Sequence, residues 1–156
     1  MNQMNKKEQA LEALEQVIKE REAADRRRKA MKGSQEESIV SDWTLTQLHI
    51  VAIVKEQERA NNTMLAEHLN VSKPAITKAV KKLLDQQILE KTQQADNKKE
   101  VYYRLTKSGE MLAFIHSQLH EQARNRYMRI FAEFNSTELE TIIRFLHALA
   151  ENIKSH

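Results

Sequence analysis

The sequence predicts a mostly α-helical chain with one small β-hairpin, and three observations lead there. Two Gly and one Pro among 156 residues leave few places for tight turns. The charged residues, 30% of the total, sit in helical periodicities. The exception lies at residues 88–105, where two short β-prone runs, Ile88-Leu89-Glu90-Lys91 and Val101-Tyr102-Tyr103-Arg104-Leu105, flank TQQADNKK. That is a hairpin pattern.

From the N-terminus, residues 6–32 read as one long helix with an apolar stripe of Leu11, Leu14, Val17 and Ile18. A narrow stripe at a chain end suits packing on a second subunit. Arg26-Arg27-Arg28-Lys29 reads as a solvated or interfacial helix end, where cations suit the dipole. GSQEESIVSD, residues 33–42, loses periodicity and reads as a linker. Thr44 and Gln47 then have capping-box spacing and Trp43 and Leu48 staple spacing, so a helix starts there and runs to about Arg59, with Asn61-Asn62 ending it.

The centre of the chain is TMLAEHLNVSKPAITKAVKKLL, residues 63–84. Leu65, Ala66 and Leu69 mark one helix face, and Ile76, Val80, Leu83 and Leu84 mark another. Between them, Asn70 can end a helix in the left-handed conformation, Val71 can fill the angle and Ser72 can cap the next helix. Two short helices with this break make a helix-turn-helix. The second helix then turns Lys73, Thr77, Lys78, Lys81 and Lys82 outward, four cations without an acid. Lysines neutralise phosphates, and Ser, Thr and Lys reach base edges. The bland reading is a solvated lysine face, which leaves the preceding helix and turn unexplained. Residues 61–106 hold eight Lys or Arg against five Asp or Glu, so the whole net charge of +3 falls on this unit.

In the hairpin, Lys98 and Lys99 occupy the tip, where they can reach a phosphate or minor groove, and Tyr102 and Tyr103 read as strand packing. Thr106 caps a long helix with Met111, Leu112, Phe114, Ile115 and Leu119. A second capping spacing, Asn135 with Glu138, opens a closing helix striped by Leu139, Ile142, Ile143, Leu146, Leu149 and Ile153.

LAEHLNVSKPAITKAVKKL followed by ILEKTQQADNKKEVYYRLTKSGE resembles the DNA-binding core of the MarR family of bacterial regulators. The resemblance implies a winged helix-turn-helix in a homodimer that binds a pseudo-palindromic double-stranded DNA operator, and family position suggests repression. It divides the single domain, 1–156, into a winged core at 43–106 and dimerisation helices at 6–32 and 107–154. The DNA-contacting set becomes Thr63, Ser72, Lys73, Thr77, Lys78, Lys81, Lys98 and Lys99. The chain departs from the family pattern at Lys99, near which Arg is usual, and at Gln87, where Gly is usual.

His116 and His120 lie four residues apart on one helix face and can share a cation, although paired interface histidines are the commoner use. The resemblance is nearest to the branch of the family that represses zinc uptake. It implies a zinc site of His49, His116 and His120, completed by Asp25 or Glu22 of the first helix. A second site of that branch lacks its acids and its Cys here, because Leu48 and Ile115 stand at the acidic positions and the chain has no Cys. His68, His147 and His156 read as structural or solvated. Two rivals remain: a small organic effector between the dimer arm and the winged core, or a helix-turn-helix that binds protein. An enzyme is not expected, since no Gly-rich phosphate loop or activated nucleophile is present. A cytoplasmic location with no membrane association is expected, because no apolar run nears the roughly 20 residues needed to span a bilayer.

Overall fold

The computed structural model describes residues 5–30, 35–94 and 97–156. Its elements run α1 Lys6–Ala30, α2 Gln35–Ser41, α3 Leu45–Gln57, α4 Asn62–Leu69, α5 Lys73–Asp85, β1 Leu89–Gln94, β2 Asn97–Leu105, α6 Lys107–Phe131 and α7 Ser136–Lys154. Among the described residues, seven helices and one antiparallel hairpin match the expected mostly helical class with a small β-wing.

Most helix starts follow from local chemistry. Thr44, Asn61, Ser72, Thr106 and Asn135 all hold extended backbone and accept an N–H from the third residue onward, meeting one of the donors that a helix start leaves unpaired. At Thr44 and Asn135 the reciprocal bond from Gln47 or Glu138 completes a capping box. Asn70 ends α4 at φ 52°, ψ 47°, the left-handed cap expected of it.

Two expectations are corrected. The stretch expected as a linker contains α2, while Gly33 and Ser34 lie outside the described residues. A helix of seven residues shows no period, and its order comes from docking: α2 packs against α6, and Val40 reaches the core. Likewise, Asn61-Asn62 does not end the preceding helix. α3 stops at Gln57, Glu58 takes φ 66°, and Asn61 caps the next helix. Residues 58–60 are needed elsewhere, because Ala60 pairs with Tyr103 as a third rung beside the hairpin.

The core lies within the winged unit. Ile50, Val51 and Val54 of α3, Leu65 of α4, and Ile76, Val80 and Leu83 of α5 are fully or almost fully buried, with Ile88, Leu89, Tyr103 and Leu112 closing the cluster. Gly109 is required in the first turn of α6, since a Cβ there would collide with the Ile88 carbonyl oxygen. Gln87 sits at φ 58°, the conformation that the absent Gly would accept freely, with the Thr106 hydroxyl bonded to its carbonyl.

The arms differ. α7 is strongly amphipathic yet buries no residue within one chain, and α6 buries only its first half. Leu11, Val17 and Ile18 of α1 are also exposed.

Candidate functional site

The nucleic-acid face begins with how α5 is held. Ile76, Val80 and Leu83 anchor it in the core, which turns Lys73, Thr77, Lys78 and Lys81 to solvent. The Ser72 hydroxyl accepts from the Ala75 N–H at 3.2 Å, so its structural role is the cap. Thr77 donates its hydroxyl hydrogen to the Lys73 carbonyl at 3.1 Å, leaving its methyl and oxygen lone pairs for an approaching base edge. Thr63 is exposed in the first turn of α4. Lys99 is exposed on β2, and the Lys98 side chain lies outside the described ones.

Lys82 departs from the expected cationic face. Its ammonium donates to the Asp42 carbonyl at 2.7 Å and stands 4.7 Å from the Trp43 ring centroid, so it clamps α5 to the entry of α3. Gln47, buried beside it, donates toward the Ala79 carbonyl at 3.4 Å and ties the same two helices. Nothing in the α5 sequence marks Lys82 apart from its neighbours; the signal is the aromatic Trp43, distant in the chain.

Histidines gather on the seam between α3 and α6. His116 is buried and His120 exposed, and their Nε2 atoms are 3.1 Å apart. His49 faces them from α3, with its ring centroid 6.5 Å from that of His116. Burial, then the neighbouring His120 and His49, hold the His116 pKa below the ordinary imidazole value. The neutral imidazole is the form that binds metal. Two ligands at about 2.0 Å from a tetrahedral ion are about 3.3 Å apart, so the His116–His120 spacing fits two corners of one. Among the described residues, however, no group of three His, Asp or Glu closes into a finished metal set. Of the two first-helix candidates, Glu22 is exposed and Asp25 pairs with Arg21 at 3.8 Å. The other histidines behave as expected: His68 and His147 are exposed, and His156 Nδ1 lies 3.0 Å from the Asn152 carbonyl oxygen.

Residues 43–101 match the MarR family, and YvnA of Bacillus subtilis, an uncharacterized HTH-type transcriptional regulator, is 46% identical over 106 residues, 68% of each chain. The chain belongs to the MarR family. It is a transcriptional regulator of that family, not an enzyme. The crystal structure of the adhesin competence repressor AdcR from Streptococcus pyogenes superposes on this MarR chain with a TM-score of 0.67 at 29% identity, covering 90% of this chain and 97% of that one. Wild-type ZitR of Lactococcus lactis in complex with DNA gives 0.62 at 33% identity, covering 69% and 73%. The expected winged helix-turn-helix is therefore the fold. No helix among the described residues is long and apolar enough to cross a membrane.

Proposed function

We propose that this regulator is a homodimeric repressor of a pseudo-palindromic operator, with zinc as co-repressor held by His49, His116, His120 and one of Asp25 or Glu22. The observation that carries the metal part is the 3.1 Å approach of two ε nitrogens, one of them on a buried imidazole whose pKa burial holds below the ordinary value, with a third imidazole facing it from another helix. The resemblance to the zinc-uptake repressor branch selects zinc among the divalent ions that such a donor set accepts. A zinc ion would add coordinate bonds to the packing and the Lys55–Glu110 ion pair that join α3 and α6.

The chain's own residues do the rest. α5 enters a major groove with Lys73, Lys78 and Lys81 toward phosphates and Thr77 toward base edges, while Thr63 and the wing lysines Lys98 and Lys99 flank it. Two copies pair through α1, α7 and the distal half of α6, whose apolar faces are otherwise bare. Successive major grooves lie about 34 Å apart, so binding depends on the spacing of the two α5 helices. His49 shares α3 with Gln47, which bonds α5, so fixing His49 against α6 favours one placement of the recognition helix.

The test is a zinc titration of chelator-stripped dimer, read as binding to duplex fragments from its own promoter region, with His116→Ala as control. Zinc should tighten binding tenfold or more, about 1.4 kcal/mol, and the variant should not respond. Tight binding indifferent to zinc would remove the metal and turn the search to an organic effector, while the winged-helix reading would stand.

A further inference from the structure

The third rung beside the wing places a group of side chains that neither the helix-turn-helix nor the hairpin tip accounts for. Ala60 donates to the Tyr103 carbonyl at 3.1 Å and accepts from the Tyr103 N–H at 2.8 Å. Both residues are buried, so strand alternation turns their neighbours Arg59, Asn61, Tyr102 and Arg104 to the opposite, solvent-facing side. There the Arg59 guanidinium carbon stands 4.8 Å from the Tyr102 ring centroid, and the Tyr102 hydroxyl donates to Glu100 Oε2 at 2.7 Å. Arg104 is committed to Glu90, with Nε and Oε1 2.6 Å apart.

This group lies on a seam. Asn61, two residues after Arg59, caps the first helix of the helix-turn-helix, and Tyr102 belongs to the wing. In a winged helix-turn-helix the first helix crosses the DNA backbone while the wing reaches toward the adjacent groove, so a run of phosphates passes between them. A guanidinium stacked on an aromatic ring is held as a planar fork, the geometry that grips phosphate with two hydrogen bonds. A carboxylate in the same place repels phosphate, and Glu100 presents to Tyr102 the same kind of anionic oxygen that a phosphate would bring.

We infer that Arg59 and the Tyr102 hydroxyl form a contact to the DNA backbone at the seam of the helix-turn-helix and the wing, and that Glu100 occupies the hydroxyl until a phosphate displaces it. The inference rests on the DNA-binding reading above. It adds a phosphate site whose strength is set by a resident acid.

The experiment is fluorescence anisotropy of a labelled mixed-sequence duplex with the full chain across a salt series, because a phosphate contact is read independently of sequence. Arg59→Gln should weaken binding by about tenfold at low salt and make the slope of log affinity against log salt shallower by about 0.9 for each phosphate no longer neutralised. Arg59→Lys should keep the wild-type slope, and Glu100→Gln should bind several-fold tighter. Tyr102→Phe should weaken binding less than Arg59→Gln. If Arg59→Gln keeps wild-type affinity and slope while Lys78→Ala lowers both, DNA binding stands and the seam contact is overturned. An equal loss in Arg59→Gln and Arg59→Lys at unchanged slope would mark damaged wing support and overturn it too. If the wild-type chain ignores duplex DNA at every salt concentration, the reading beneath it falls as well.

Discussion

Leu65 and Leu146 each stand on the apolar face of an amphipathic helix, yet Leu65 is fully buried in the winged core and Leu146 is 44% exposed on α7. The two helices carry the same kind of pattern and meet different fates within one chain. α4 finds its apolar complement in α3 and α5, whereas among the described residues α7 buries none of its stripe and the stripes of α1 and the distal half of α6 stay largely exposed. An amphipathic stripe states that a face needs covering, and only the fold tells whether the same chain covers it. Here one region is complete in a single copy and the other is shaped for a second.

Charging the bare face is the strongest way to break that contrast. Ile143→Glu combined with Leu146→Glu should convert the dimer to monomer in sedimentation velocity and abolish operator binding. A dimer of unchanged affinity would show that α7 is not the covering surface. Within the complete region, Gly109→Ala should destabilise by about 3 kcal/mol, the upper range for overpacking, because the new methyl meets a backbone carbonyl rather than a flexible side chain. Denaturant midpoints at fixed protomer concentration measure it. Ser72→Ala should cost about 1 kcal/mol and show first as faster amide exchange in the opening turn of α5, with α7 unaffected.

The smallest expected effect joins the two regions through His116, at the root of the arm. Its folded pKa is depressed below 6.5, so the unfolded chain takes up the proton first as the solution acidifies. The stability present above pH 6.5 should therefore decline as pH falls through that value toward the folded pKa. Urea midpoints on either side of 6.5 should show the decline, and His116→Asn should lack it.

Legibility followed the range of the interactions. The turn at Asn70-Val71-Ser72 and the capping boxes at Thr44 and Asn135 were readable because each is fixed by residues within a few positions of one another. So was the strain at Gln87, visible as a missing Gly. α2 was not, because seven residues carry no period and Val40 is ordered by the core it docks against. Nor was the diversion of Lys82, identical in sequence to the neighbouring Lys81 and separated from it by one carbonyl and one indole ring forty positions away. The histidines lay between these extremes. Spacing on one helix paired His116 with His120, but only the packing of α3 on α6 brought His49 to face them.

The clamp at Lys82 has an optical consequence. Trp43 is the sole tryptophan of the chain, and a cation borne by the recognition helix rests 4.7 Å from its ring. Indole emission responds to nearby charge and to water, so the natural protein has a fluorophore at the contact between α5 and the start of α3. Any effector or duplex that shifts the recognition helix against α3 will change the colour or intensity of that emission. The movement of the reading head can therefore be followed in the unlabelled protein, in real time and without a partner carrying a dye.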